Sequence, residues 1–271
     1  RGKKADGDEP DRVMMKMLVL VKQTPDAEAD VRIADDGGSL VVWEKDWRMN
    51  RFDEFAVEEA LRIREVFPGS SVDAVSVGPP RVAAVLRRAL AMGVEEAFHV
   101  PYAGYQDVFP GETASLIAAF AGSRSYDLIL AGVMSEDAMH AQTGPMVAEM
   151  LNIPCATAVV AQKIAEEGKR IVVERELEGG LREGLELPLP ALIAVQSGIN
   201  RPRYPALSHV LRSRSQPIMT VPEDALPIPS RHVRLVSLAP FEPSGKGVFL
   251  QGTRAEKAER LAEIFTARAL F

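Results

Sequence analysis

"VDAVSVGPPRVAAVLRRALAMG" (residues 72–93) holds a strand and a helix end to end. "VDAVSVG" is a short, Val-rich run, the composition of a parallel strand buried on both faces. Pro79 and Pro80 then open a helix through "RVAAVLRRALAM", since the N–H that proline lacks has no intrahelical acceptor in a first turn. Gly93 stops that helix, because only glycine takes the left-handed backbone of a helix end at no steric cost.

The same unit recurs on either side. Upstream, "KMLVLVK" (16–22) reads as a strand bounded by charge and by "QTPD", followed by a weakly patterned stretch holding "SLVVW". From Asn50, which is placed to cap a helix, Phe52, Ala56, Ala60, Ile63 and Phe67 recur at the three- and four-residue spacing of an amphipathic stripe. Downstream, "AFHV" is a strand, "ETASLIAAFAG" a helix and "YDLILAG" another strand. The stretch "AGVMSEDAMHAQTGPMVAEML" (131–151) leaves that strand through a polar loop and enters a helix at Gly144-Pro145, with Thr143 as its cap. This alternation predicts an α/β, doubly wound, mostly parallel sheet with helices on both faces, a Rossmann-like nucleotide-binding fold. Beyond "PCATAVV", two extended runs flank Gly179-Gly180, which adds an antiparallel hairpin.

These elements divide the chain. Residues 1–15 mix both charge signs without an apolar stretch and read as a disordered leader, neither a signal peptide nor a transit segment. Residues 16–211 form the α/β domain, including a loop at 198–208. From 212 the composition changes: six prolines between Pro217 and Pro243 allow no long regular element. This arm leads to a last helix, whose Thr253-x-x-Glu256 spacing is a capping box and whose stripe is Leu261, Ile264 and Phe265. A helix reached through such an arm is expected to pack on a partner.

Composition excludes several classes of function. The chain has 271 residues, is 46% hydrophobic and carries a formal charge of -6 with a pI near 5.4, so no general basic surface for nucleic acid exists. Cys155 is the sole cysteine, which rules out an internal disulfide and suits a reducing, cytoplasmic location. In its Pro154-Cys155-Ala156 context it reads as a small core residue. No apolar run approaches the roughly 18 residues of a membrane span.

Ligands of doubly wound sheets collect at the carboxyl ends of the strands. Three segments lie there: "VKQTPD", "VGPP" and "GVMSEDAMHAQTG". Unpaired amides at the Gly144-Pro145 helix start favour an anion, by about 0.3–1 kcal/mol per charge when exposed. A phosphate is the natural occupant; a plain capped helix with a solvated loop is the alternative. No Gly-x-x-x-x-Gly-Lys or Gly-x-Gly-x-x-Gly motif accompanies it. His99, His140, His209 and His232 lack metal-ligand spacing. Ser135, Asp137 and His140 are close in sequence, which leaves a small hydrolase as a weak further reading. In "GINRPRYPALSHVLRSRS" (198–215), prolines set a rigid loop, Tyr204 can anchor its base, and arginines surround Leu207. That suits a docking loop with an apolar tip and basic steering groups, or else a plain surface loop.

The blocks "VLVKQTPD", "MNRFDEFAVEEALRIRE", "AVSVGPP", "LRRALAMGVEEA", "YDLILAG", "AQTGPMVAEML" and "NRPRYPALSHVLRSRS" together resemble the beta subunit of electron transfer flavoproteins, from about Lys16 to Pro222. The resemblance implies an electron-carrier subunit that is not an enzyme by itself, paired with an alpha subunit that holds most of the redox FAD. It implies AMP in the crevice of this subunit, electrons arriving from an acyl-CoA dehydrogenase or related flavoenzyme, and delivery to a quinone oxidoreductase, as in fatty acid beta-oxidation. Carried over by motif, the AMP site comprises Leu20, Asn50, Arg51, Phe52, Asp53 and Val77. It continues through Gly132, Val133, Met134, Ser135, Glu136 and Asp137, then Ala138, Met139, His140, Ala141, Gln142 and Thr143. The docking loop falls on Pro202, Arg203, Tyr204, Pro205, Ala206, Leu207 and Ser208, with Leu207 as its protruding leucine.

This chain departs from many relatives at Arg51, where they carry proline, at Val133, where they carry a basic residue, and at Ala138 and Met139, where they carry aspartates. Electron-bifurcating members place a second FAD in this crevice, and Asp137, Ala141, Gln142, Gly144 and Pro145 match their loop in part. AMP is the expected occupant and a second FAD the alternative. A stand-alone adenine-nucleotide sensor would explain the crevice but leaves the loop and the arm without a role.

Overall fold

Apolar runs become adjacent strands, and the striped segments between them become the helices that cover the sheet. The computed structural model describes residues 13–35, 37–102, 109–165, 168–226, 230, 232–240 and 247–268. The first half of the chain forms β1 (Lys16–Leu20), β2 (Gln23–Pro25), β3 (Arg32–Ile33), β4 (Leu40–Val41), β5 (Trp47–Met49), α1 (Arg51–Val66), β6 (Ser71–Gly78), α2 (Ala83–Met92), β7 (Glu96–Pro101), α3 (Pro110–Gly122) and β8 (Leu128–Gly132). The second half forms α4 (Thr143–Leu151), β9 (Cys155–Ala165), β10 (Arg170–Glu176), β11 (Arg182–Pro188), β12 (Ala191–Val195), α5 (Leu207–Ser215), β13 (Met219–Thr220) and α6 (Arg254–Ala267).

One nine-stranded sheet carries the fold, in the order β11-β10-β9-β12-β8-β1-β6-β7-β13. Pairing is parallel from β9 to β13, and β10 and β11 add the antiparallel hairpin around Gly179 and Gly180, whose φ values are 73° and 75°. Side chains alternate across the strands, so Met17 and Val19 pack with α1 and α2 on one face. Leu18 and Leu20 pack with α3 and α4 on the other. Coverage on both sides explains why these strands show no polar face. The chain lays down β1, β6 and β7 in one direction and then crosses to put β8 on the other side of β1. The crevice of a doubly wound sheet therefore opens between the carboxyl ends of β1 and β8.

Several boundaries differ from the sequence expectation. The expected leader covers 1–15, of which 1–12 lie outside the described residues; Met15 is buried, and its amide donates to Ser70 Oγ at 2.9 Å. The helix after Pro79 begins with a 3-10 turn, Pro80–Val82, before α2. The buried side of α1 includes Phe55, Val57 and Leu61 rather than Phe52, which is half-buried, or Phe67, which lies past the helix end. The expected boundary at 211/212 falls inside α5. Beyond it, β13 pairs with β7 and Val221 joins the core, so ordered packing against the sheet continues past the start of the expected arm.

The chain divides into two units, Arg1–Leu238 and Ala239–Phe271. The second contains α6, capped as the sequence predicts: Thr253 Oγ1 accepts from the Glu256 amide at 3.3 Å, and Glu256 Oε2 accepts from the Thr253 amide at 2.7 Å. No residue of α6 is buried. Parts of the Pro-rich arm, 227–229, 231 and 241–246, lie outside the described residues.

Candidate functional site

At the crevice a single buried carboxylate joins the ends of β1 and β8 to the start of α1. Asp53, 5% exposed, accepts the Lys22 amide on Oδ2 at 2.7 Å, and on Oδ1 both Asn50 Nδ2 at 2.9 Å and the Gly132 amide at 3.1 Å. The approach is close enough that a Cβ at position 132 would lie 2.4 Å from Asp53 Oδ1 and 2.6 Å from Phe52 Cβ. Only glycine fits there. Asn50 sits at the N-cap position of α1, but its side chain does not cap the helix. It spans to the loop after β8 instead, donating to Met134 O at 2.9 Å and accepting the Glu136 amide at 3.1 Å. The cap expected from sequence is thus a buried cross-link between chain segments.

Burial pushes the Asp53 carboxyl up to about 7, against the opposing pull of its three N–H donors and of the Lys22 ammonium. Its proton is held more tightly in the folded chain than in the unfolded one. The associated stability is therefore complete below the ordinary value of 3.8 and is lost as pH rises through about 7. Asp53→Asn is expected to remove that slope, which spans about 4 kcal/mol between the charged and neutral forms. Denaturant midpoints of both proteins across this pH window check it; parallel profiles overturn it.

Lys22 reaches into the same crevice. Its ammonium donates to Ser135 Oγ at 3.1 Å and to both oxygens of Asp137 at 2.6 and 2.8 Å. Burial alone would raise the Asp137 carboxyl; Lys22, with Ser135 and the Ala138 amide, holds it below the ordinary carboxylate range. The arrangement assigns Ser135 and Asp137 to a salt-bridged loop rather than to a nucleophile with its base. His140 instead stacks on Phe109, with ring centroids 6.5 Å apart. Met139 and Ala141 have φ of 53° and 55°, left-handed values that side chains rarely adopt and that give the loop its tight course.

The resulting cavity holds about 310 Å³. Leu20, Asn50, Asp53, Val77, Gly132, Val133, Met134, Ser135, Asp137, Ala138, His140, Ala141, Gln142 and Thr143 all line it. Four other residues expected in the site do not. Arg51 and Glu136 face a second hollow of about 540 Å³, which Tyr204 also lines. Phe52 is packed beside Gly132, and Met139 is exposed on the outside of the loop. Lys22, Leu40, Thr113 and Ile117, with Val21, Pro110, Ala131 and Gly144, complete the lining and are not among the site residues expected from sequence. The apolar walls are Leu20, Val77 and Ile117. The polar end is the start of α4, where Thr143 stands as the first helical residue and not as the cap; Gln142 holds the cap position without a side-chain bond. Thr143 and Gly144 carry first-turn amides with no intrahelical acceptor, while the Met146 amide is already bonded to Gln142 O at 3.0 Å. Such an end favours an anion.

The segment after β12 forms the other expected site. It runs without regular structure only to Ala206; Leu207 and Ser208 open α5, which the sequence does not announce as a helix. Leu207 is 73% exposed, and Leu211 one turn on is exposed as well. Tyr204, expected to anchor the turn, is 90% exposed; buried Pro205 lies at the base instead. Arg203 is not free to steer a partner, because it is ion-paired to Glu58 and Glu65 at 2.8 and 2.9 Å. Pro202 is half-buried and Ala206 exposed. Cys155 is half-buried against the α3–α4 face, and burial raises its thiol to about 11, which keeps it protonated and unreactive.

No group of three or more His, Cys, Asp or Glu side chains suited to a metal occurs among the described residues. No described helix is long and apolar enough to cross a membrane. A sequence model of the electron transfer flavoprotein domain matches residues 39–226. The chain is 32% identical over 265 residues to electron transfer flavoprotein subunit beta of Bacillus subtilis (strain 168), covering 94% of this chain and 99% of that protein. It is 38% identical over 213 residues to the mitochondrial beta subunit of Oryza sativa subsp. indica, covering 78% and 83% of the two chains. Against the Homo sapiens beta subunit it is 35% identical over 209 residues, covering 76% and 81%.

Proposed function

This chain belongs to the electron transfer flavoprotein family, and from that premise we propose that it is the beta subunit of a heterodimeric electron carrier, binding AMP in its crevice and docking the electron donor through Leu207. The redox chemistry is that of FAD, held mainly by an alpha subunit. Electrons arrive from an acyl-CoA dehydrogenase or a related flavoenzyme and leave to a quinone oxidoreductase. This chain's residues do no bond-making: they hold a nucleotide, join the partner and present a docking surface.

The cavity at the β1–β8 switch point carries the reading. Its volume of about 310 Å³ stands at the small end of the roughly 300–1,000 Å³ usual for small-molecule sites, which suits a mononucleotide better than a second FAD. Leu20, Val77 and Ile117 offer an apolar wall to adenine. The Thr143 and Gly144 amides suit its phosphate, and the Lys22–Asp137 pair leaves no uncompensated loop carboxylate against that phosphate. The exposed α6, with no buried residue, suits a helix that closes on the alpha subunit.

Acid extraction of the complex co-expressed with its alpha-type chain, followed by chromatography, tests the assignment. One AMP and one FAD per heterodimer are expected. Two FAD and no AMP would replace the AMP reading with a bifurcating one, and a chain that stays monomeric would remove the carrier reading altogether.

A further inference from the structure

Two glutamates on α1 are buried where a solvated helical face would be expected. Glu58 and Glu59 are 5% and 4% exposed. Burying a carboxylate is costly unless its oxygens are fully bonded, so the partners of these two residues reveal what their burial serves. Glu58 Oε2 accepts the Arg203 backbone amide at 3.0 Å and its Nε at 2.8 Å, while Oε1 accepts the guanidinium NH2 at 3.0 Å. Glu59 Oε2 accepts Asn200 Nδ2 at 2.8 Å, and its Oε1 accepts Gln162 Nε2 at the same distance. Asn200 Nδ2 also donates to Phe55 O at 3.0 Å.

Apart from the Gln162 bond, which comes from β9, these bonds converge on the stretch between β12 and α5, which has no strand or helix ladder of its own. Immediately beyond them the chain turns outward: Tyr204 is 90% exposed and Leu207 73%. A base clamped by buried carboxylates beneath an exposed apolar tip is the geometry of presentation. Three residues separate Arg203 from Leu207, so fixing the first restricts the second.

We propose that Glu58 is a positioning residue for partner docking: its fork on Arg203 holds the 198–206 segment so that Leu207 stands ready for a pocket on the dehydrogenase. The proposal rests on the docking reading given above. A charge-assisted fork is directional, and a neutral amide in its place keeps fewer bonds at lower strength. A segment released from that fork must be ordered again at each encounter. Such a cost falls on binding and leaves the bound complex's turnover intact.

The test uses the heterodimer with an acyl-CoA dehydrogenase as reductant, following bleaching of the flavin. Glu58→Gln is expected to raise KM for the heterodimer about tenfold while kcat stays within about twofold, with bound nucleotide unchanged and exchange protection of the Arg203 amide lost. Arg203→Lys, which keeps the charge but not the fork, should reproduce the KM rise with less disturbance to the core. Leu207→Ala serves as the reference. If Leu207→Ala raises KM while both Glu58→Gln and Arg203→Lys match the wild type, the positioning role is overturned and docking stands. If Leu207→Ala itself changes nothing, the docking reading falls and takes this proposal with it. A fall in kcat equal to the rise in KM would also overturn the proposal, because it marks general damage.

Discussion

Leu207→Ala is expected to weaken capture of the electron donor by about ten- to 150-fold, since burying one leucine in a partner's pocket contributes about 1.5–3 kcal/mol. The side chain stands 73% exposed at the first position of α5. Its removal therefore leaves no cavity in this chain, and melting temperature and nucleotide content should match the wild type. The measurement is the dependence of flavin reduction on heterodimer concentration. An unchanged curve would remove the docking role from Leu207.

Gly132→Ala should damage the crevice itself. The new methyl would meet Asp53 Oδ1 at 2.4 Å and Phe52 Cβ at 2.6 Å, with the Phe52 carbonyl carbon at 2.8 Å. Asp53 cannot swing aside, because Lys22 and Asn50 hold it. Overpacking of this kind costs typically about 1–3 kcal/mol, or roughly 2–12 °C of melting temperature in a chain of this size. Since the displaced loop forms one side of the cavity, bound nucleotide should fall with it. Thermal melts and acid extraction of the purified complex read both effects. Gly144→Ala is the control: its methyl would lie 3.4 Å from Leu192 Cδ2, an ordinary contact, and should be tolerated. Full nucleotide content and a wild-type melt in Gly132→Ala would mean that the Asp53 junction does not organise the crevice.

Much of this architecture was legible because the signals are local. Valine-rich runs, Gly93 and the Gly179-Gly180 pair specify strands, a helix stop and a hairpin through backbone preference alone. The strand ends point to the crevice in the sequence itself, since the position of a doubly wound sheet's ligand follows from its topology. What stayed hidden depends on partners distant in sequence. Asn50 has the residue type and place of a cap, yet Met134 and Glu136 claim its side chain. Lys22 looks like a solvated strand end until Ser135 and Asp137 arrive from more than a hundred residues away. Glu58 and Glu59 resemble a wet helix face, and Arg203, Asn200 and Gln162 make their burial tolerable. Tyr204 failed as an anchor for a related reason: Pro205 fills the base, and the ring is left to face Arg88 at 5.5 Å.

The helix that carries Leu207 is also tied behind its tip. Arg87 donates to the carbonyls of Ser213 and of Gln216, the latter at 2.7 Å, and β13 then hydrogen-bonds to β7 at the sheet edge. With Glu58 gripping the other approach, α5 resembles a bridge deck resting on two abutments, one at each bank. A protein docking there as proposed would meet a ridge already in shape, so little freedom would be surrendered on landing and departure would need no local melting. For the proposed electron carrier, brief and repeatable moorings would follow from that rigidity.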